Sequence, residues 1–124
     1  MNIVDSTLWL EYFADSEAGD KISAIIENTE ELIVPTIILY EVFKKLLYEK
    51  NEDDALFAIA HMKQGIVIDL TDELSLSAGK ISKEQKLPMA DSIIYATSLK
   101  YNCVLWSQDK HFMGLKSVNY FEKI

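Results

Sequence analysis

The sequence predicts an α/β fold, a three-layer α/β/α sandwich with a central parallel sheet of four to five strands. Short apolar segments alternate with stretches of helical periodicity along the 124 residues, and this alternation produces crossover connections between parallel strands. The short segments are apolar throughout, as expected for strands that helices cover on both faces. The length suits one domain and no linker or repeat interrupts it, so residues 1–124 are expected to form a single domain.

The first third of the chain predicts two strands and two helices. Met1–Asp5 is a short apolar segment that ends in an acid, and it predicts the first strand. Ser6–Ala14 has large apolar residues at helical spacing, and Ser6 is its expected N-cap because a serine hydroxyl can accept a backbone N–H there. Glu17–Asn28 predicts a second helix and Glu31–Val34 a second strand.

The middle of the chain contains the clearest helical pattern. In Thr36–Lys50 the apolar residues recur every three or four positions, which is the pattern of a helix with one buried face. Glu52–Met62 predicts another helix, and a glycine ends it. Ile66–Ile68 then predicts the third strand.

The last third of the chain predicts two more helices and two more strands. Thr71–Gln85 is helical, with Thr71 as a possible cap, and Ala90–Lys100 is a mostly apolar helix that follows a proline. Cys103–Trp106 predicts the fourth strand, and Val118–Phe121 is the candidate fifth.

The composition excludes several classes of protein. No segment approaches the roughly 20 apolar residues that span a bilayer, and the N-terminus lacks a secretory signal, so a cytoplasmic protein without a membrane partner is expected. The single cysteine, Cys103, can form no disulfide within the chain, and the Cys and His cluster of a zinc site is absent. The glycines form no phosphate-binding loop, and no serine has the surroundings of a hydrolase nucleophile.

The charge, taken alone, argues against a nucleic-acid partner. The formal net charge is −8, and all twelve basic residues are lysines, whereas proteins that bind nucleic acids usually carry a basic surface. Acids grouped around a divalent cation would count toward this charge while facing a neutralising metal. The composition therefore leaves the question open.

Several acids are expected at the carboxyl ends of the strands, where ligands bind in parallel sheets. Asp5 follows the first strand and Asp109 the fourth, Asp69 follows the third, and Glu41 lies in the second turn of the helix after the second strand. Asp5 and Asp109 are the strongest pair, because both follow apolar strands. Carboxylates packed together without a cation repel one another, so a convergent cluster implies a divalent metal such as magnesium.

Each acid, taken singly, also fits an ordinary structural role. Asp5 and Asp109 could be turn residues, and Glu41 could be a solvated helix residue. Asp91, in the first turn of its helix, could complement the helix dipole.

Four segments, in order and spanning essentially the whole chain, resemble the motifs of the PIN-domain family. They comprise an apolar strand followed by Asp-Ser, a glutamate after a Pro-led helix start, an Asp followed by two apolar residues and a later alanine, and the pattern Ser-x-Asp-x-x-Phe. These segments are Ile3–Leu10, Pro35–Val42, Leu87–Ala96 and Leu105–Phe112. The chain is therefore similar to the VapC-type toxins, which implies a magnesium- or manganese-dependent endoribonuclease with an RNA substrate, a cognate antitoxin protein and a homodimeric state.

The resemblance also implies roles for individual residues. By matched position, the metal-binding and catalytic acids would be Asp5, Glu41, Asp91 and Asp109. Ser6 and Ser107 would supply hydroxyls that orient these carboxylates. Ser107 stands where the family usually has threonine, which keeps the hydroxyl.

The absence of arginine departs from the family pattern and leaves phosphate binding to lysine. Lys44 and Lys45 lie one turn beyond Glu41, and Lys110 neighbours Asp109, so these three lysines are the candidate RNA contacts. They also fit the role of ordinary solvated lysines. His111 is either a loop histidine or an aid to proton transfer.

Two other functions fit parts of the sequence. A phosphoacceptor receiver domain has similar length, acidity and alternation, with Asp69 as the candidate acceptor, but it requires adjacent acids after the first strand, where Asp5 stands alone. A non-catalytic interaction module with the PIN fold is the second alternative.

Overall fold

The computed structural model describes residues 1–123 and confirms the α/β/α fold with its parallel sheet. The five strands are β1 (Asn2–Val4), β2 (Leu32–Pro35), β3 (Ile66–Ile68), β4 (Val104–Ser107) and β5 (Val118–Tyr120). The helices are α1 (Ser6–Phe13), α2 (Glu17–Glu27), α3 (Thr36–Glu49), α4 (Glu52–Met62), α5 (Asp72–Gln85) and α6 (Met89–Lys100), and two short 3-10 turns cover Thr29–Glu31 and Lys110–Phe112.

The order of the strands places one crevice at the centre of the sheet. All neighbours are parallel, in the order β3-β2-β1-β4-β5, so the chain builds outward from β1 on one side and then crosses to β4 on the other. Ligands bind where the direction of winding switches, here beyond the ends of β1 and β4. Val4 pairs with Trp106, and the Asp5 N–H donates to the Trp106 carbonyl at 2.9 Å.

The strand order also decides against the receiver alternative. Receivers have the order 2-1-3-4-5, in which the third strand lies beside the first. Here β3 pairs with β2 at the edge of the sheet, so Asp69 follows an edge strand, and it is exposed.

The core fills both faces of the sheet. The side chains of Ile3, Val4 and Leu105 are fully buried, since β1 and β4 lie inside the sheet with helices on either side. On α3 the buried stripe is Ile38, Val42 and Leu46, at the spacing that the sequence predicts. The longest described helices have 14 residues, and none of the helices in residues 1–123 is long and apolar enough to cross a membrane.

Helix α6 is buried on all sides along most of its length, with every residue from 91 to 98 buried. Small and hydroxylated residues make this possible, because a hydroxyl can bond to its own helix, as Thr97 does to the Ile93 carbonyl at 2.8 Å. A helix held in this way carries its first turn, with Asp91, to a fixed position.

The structure corrects one predicted helix cap and supports another. Asp5, not Ser6, is the N-cap of α1, because the Asp5 carboxylate accepts the Ser6 N–H and Ser6 is already helical. Both residue types cap helices well, so the sequence alone did not separate them. Thr71 caps α5 as expected, and its hydroxyl accepts the Leu74 N–H at 3.1 Å. The other boundaries agree with the predictions to within two residues.

Candidate active site

Asp5 lies where the central strand β1 turns into α1, and its carboxylate is held by three donors. Oδ1 accepts the Ser6 N–H at 2.7 Å, while Oδ2 accepts the hydroxyls of Thr7 at 3.0 Å and of Ser107 at 2.7 Å. The side chain is only 2% exposed. Burial raises the pKa of the Asp5 carboxyl, although these hydrogen bonds lower it in part. Asp5 is therefore both fixed in orientation and costly to keep charged.

Two hydroxyls connect Asp5 with the segment that follows β4. The Ser107 hydroxyl donates to Asp5 and accepts the Asp109 N–H at 2.9 Å, which is the kind of orienting contact expected for this residue. The Thr7 hydroxyl donates to Asp5 and accepts the Gln108 N–H at 3.3 Å. Thr7 was not among the predicted site residues, although a hydroxyl two positions after Asp5 was a signal for it. The Ser6 hydroxyl lies farther from Asp5, at 3.5 Å.

Asp109 caps the 3-10 turn that follows β4. Its Oδ1 accepts the His111 N–H at 2.9 Å, and the turn is anchored by Phe112, which is fully buried. The Asp109 carboxylate therefore has a defined orientation, while the Asp109 backbone N–H is connected to Asp5 through the Ser107 hydroxyl.

Asp91 reaches the same edge of the sheet from the first turn of α6. Its Oδ2 lies 2.8 Å from His111 Nδ1, which is also 3.0 Å from Asp109 Oδ1. Burial, together with the charges of Asp109 and Asp5, raises the pKa of Asp91 to about 6. The family resemblance implied that Asp91 lies at this edge of the sheet, and the structure places it there.

Glu41 projects into the cluster from the second turn of α3. Its Oε1 is buried and has no hydrogen-bond partner within the described residues. Burial, followed by the charge of Asp5, raises the pKa of Glu41 to about 7, and Asp91 and Asp109 add to this effect. An oxygen that is buried without a donor is costly unless something else satisfies it.

The four acids, distant in sequence, thus lie close enough for their charges to interact. Besides burial, the charge of Asp109 raises the pKa of Asp5, of Glu41 and of Asp91. Their oxygen donors are of the hard type that Mg²⁺ and Mn²⁺ bind. Glu41, whose Oε1 has no partner among the described residues, interacts with the charges of the other three acids. A divalent cation would satisfy that oxygen and remove the repulsion. The residues present therefore fit such an ion.

Two of the three candidate RNA-binding lysines have described contacts, and both contacts lie outside the acid cluster. Lys44 lies over the ring of Tyr40, with Nζ 5.7 Å from its centre, and Lys45 pairs with Glu49 at 3.2 Å. Lys110 is exposed on the turn capped by Asp109. Their role in binding RNA stays a prediction.

Comparisons with known proteins agree with this architecture. Residues 3–116 match the family model of the PIN domain. No curated protein sequence matches the chain.

Several solved structures superpose on the whole chain. A toxin–antitoxin complex from Klebsiella pneumoniae gives a TM-score of 0.83 at 20% identity, covering 100% of both chains. VapC20 of Mycobacterium tuberculosis, a toxin that cleaves the sarcin-ricin loop, gives 0.74 at 16% identity, covering 95% of this chain and 98% of that one. VapBC2 of Rickettsia felis, bound to a fragment of promoter DNA, gives 0.75 at 11% identity, covering 98% of each chain. At these identities the likeness shows a shared fold.

Proposed function

The chain belongs to the PIN domain family, and on that basis we propose that it is a divalent-metal-dependent endoribonuclease, the toxin of a toxin–antitoxin pair. One observation carries the proposal: Asp5, Glu41, Asp91 and Asp109 converge at the switch point of the sheet, where Glu41 keeps a buried oxygen without a partner. Such a cluster is unfavourable for folding, because its carboxylates repel one another, but it supplies the oxygen ligands that a divalent cation binds.

The ion would be Mg²⁺ or Mn²⁺, held by Asp5, Glu41, Asp91 and Asp109. When bound, such an ion activates water and stabilises the negative charge that develops on the phosphate. The protein prepares the site by fixing the carboxylates. Three donors orient Asp5, and Ser107 ties Asp5 to the Asp109 backbone.

Glu41 and Asp91 hold protons that the site must release. Since the pKa of Glu41 is raised to about 7 and that of Asp91 to about 6, both carboxyls are partly protonated near neutrality in the metal-free protein. A carboxylate must lose its proton before it binds a cation. Metal affinity is therefore expected to fall as the pH decreases below about 7, with Glu41 as the first group to be neutralised.

The proposal extends to substrate and partners. The sarcin-ricin loop is RNA, and two of the similar structures are toxin–antitoxin or VapBC proteins, which supports an RNA substrate, a cognate antitoxin and a cytoplasmic place of action. We further propose a homodimer, and RNA phosphate contacts by Lys44, Lys45 and Lys110, which carry the cationic charge nearest in sequence to Glu41 and Asp109.

The test is RNA cleavage by purified protein that has been separated from any partner, with Mg²⁺, with Mn²⁺ and with a chelator. Asp5→Asn and Asp91→Asn should each lower the cleavage rate by about a hundredfold or more, while circular dichroism shows a retained fold. Asp69→Asn is the matched control, because Asp69 also follows a strand but is exposed beside the edge strand β3. If the wild type cleaves no RNA with either metal, the chain is a non-catalytic interaction module and the enzyme proposal is wrong.

A further inference from the structure

His111 lies among the acids of the site, whereas the metal-binding set implied by the resemblance contains carboxylates only. Its Nδ1 is 2.8 Å from Asp91 Oδ2 and 3.0 Å from Asp109 Oδ1, and one possible ligand atom from each of the three residues lies within 4.8 Å of the other two. We propose that His111 is a nitrogen ligand of the divalent ion and that it shifts the preference of the site from Mg²⁺ toward Mn²⁺. This inference rests on the proposed metal dependence.

The spacing of these three atoms suits a shared ion. Two ligands at right angles around an octahedral ion, each with a bond of about 2.1 Å, lie about 3 Å apart. The distances from His111 Nδ1 to the two carboxylate oxygens are 2.8 and 3.0 Å. The same distances fit hydrogen bonds from an Nδ1–H, so the ring stands at ligand spacing before any ion arrives. Ligation by Nδ1 requires only that the ring carry its proton on Nε2.

Two features of the turn fix the backbone of His111, from which the imidazole extends. The His111 N–H donates to Asp109 Oδ1 at 2.9 Å, and the next residue, Phe112, is fully buried beneath the turn. The base of the side chain is therefore fixed relative to Asp109. The side chain itself is 55% exposed, so the proton that leaves Nδ1 has direct access to water.

A nitrogen ligand changes which ions the site prefers. Mg²⁺ binds hard oxygen donors and keeps its waters, whereas the affinity of sites with nitrogen ligands extends to the first-row transition metals, of which Mn²⁺ also suits carboxylate oxygens. Replacing one water on the ion by the His111 nitrogen therefore favours Mn²⁺. In His111→Gln we expect the ratio of Mn²⁺ to Mg²⁺ affinity to fall about tenfold.

Pulsed electron paramagnetic resonance of the Mn²⁺-loaded protein tests the ligand directly, because a bound imidazole nitrogen produces ¹⁴N modulation of the Mn²⁺ echo. We expect this modulation in the wild type and its loss in His111→Gln. His61→Gln is the matched control, since the only other histidine of the sequence lies against Tyr12, with its Nε2 3.3 Å from that hydroxyl. This control should keep both the modulation and the Mn²⁺ to Mg²⁺ ratio.

A second variant tests the preference independently of the first. His111→Asp supplies an oxygen in place of the nitrogen, so it should bind Mn²⁺ without ¹⁴N modulation and move the affinity ratio toward Mg²⁺. Calorimetric titrations with each metal measure that ratio. An unchanged ratio in both variants overturns the preference.

The ligand proposal fails if the wild type binds Mn²⁺ without nitrogen modulation, or if the modulation persists in His111→Gln, even while RNA is cleaved. Conversely, if the wild type shows the modulation but cleaves no RNA, His111 is a ligand of the ion and the proposed ribonuclease activity is wrong. The two failures therefore give different results.

Discussion

The sequence has two histidines, and they lie in different surroundings: His61 among aromatic rings and His111 among carboxylates. The ring of His61 packs against three aromatic rings, with centre-to-centre distances of 6.5 Å to Trp9, 5.4 Å to Tyr12 and 5.8 Å to Phe13. His111 instead contacts the carboxylates of Asp91 and Asp109. We call the first group the aromatic cluster and the second, with Asp5 and Glu41, the acid cluster.

The two clusters differ in what holds them together. In the aromatic cluster the rings pack mostly edge to face, and each such pair stabilises the fold by more than its buried apolar area alone would. In the acid cluster burial and, after it, the repulsion between the carboxylates raise the pKa values of Glu41 and Asp91. Helix α1 belongs to both, because Asp5 and Thr7 contact the site at its start while Trp9, Tyr12 and Phe13 form the aromatic cluster along its length. One helix therefore contacts both clusters, the acids at its start and the aromatic rings along its length.

The largest expected effect is on stability, from the aromatic cluster. Trp9 is 1% exposed and stacks on Phe13 at 5.7 Å. Trp9→Ala should lower the free energy of unfolding by about 3–5 kcal/mol, since it removes a large buried side chain and leaves a cavity. Urea unfolding measures the change. Tyr12→Phe, which removes only the hydroxyl near His61, is the control and should cost about 1 kcal/mol or less. A loss below about 1 kcal/mol for Trp9→Ala would contradict a stabilising role for the aromatic cluster.

The next effect concerns Thr7, the residue of α1 that joins the helix to the acid cluster. Thr7→Val keeps the shape but removes the hydroxyl that donates to Asp5 and accepts the Gln108 N–H. We expect Mn²⁺ to bind about tenfold more weakly, because residues that orient ligand carboxylates have effects of this order. Calorimetric titration measures the affinity. Thr7→Ser, which keeps the hydroxyl, should bind the metal as the wild type does. Equal affinities for Thr7→Val and the wild type would show that Thr7 does not position Asp5.

The sequence was sufficient for the α/β class and for its elements because the apolar patterns are local. Periodicity identified the six α-helices of the described residues but not the two 3-10 turns, and β1 and β4 were each followed by an acid at the predicted edge. The order of the strands was not predicted, because it depends on which strand pairs with which across the whole chain. The placement of Asp91 required the family resemblance for the same reason.

The parts of the site that the sequence did not reveal depend on contacts between distant segments. Thr7 and Gln108 are 101 positions apart, so no local pattern connects them. For His111 the sequence left two interpretations open, a loop residue and an aid to proton transfer. Its contact with Asp91 could not be predicted, because Asp91 comes from α6, a distant segment. The sequence placed Asp5 and Asp109 after apolar strands, but only the tertiary structure shows which side chains contact them.

The smallest expected effect is the pH dependence of the metal-free fold. Folding raises the pKa of Glu41 from 4.5 to about 7 and that of Asp91 from 3.8 to about 6. Between the ordinary and the raised values the folded chain binds more protons than the unfolded chain, so the free energy of unfolding falls as the pH rises. The window runs from about pH 4 to about pH 7 on these values, and below it the two groups contribute no pH dependence.

Glu41→Gln should flatten this dependence, because the amide replaces the group that is charged at high pH. At about pH 8, with a chelator present, we expect the variant to be more stable than the wild type by about 1 kcal/mol after allowance for solvent screening. At about pH 4 the two proteins should be equal, since Glu41 is then protonated in both states. Urea unfolding across this range measures both curves, with Asp69→Asn as the exposed control. If the difference in stability between Glu41→Gln and the wild type stays constant across the window, burial and the neighbouring carboxylates do not raise the pKa of Glu41, and the reason for placing a cation among them is lost.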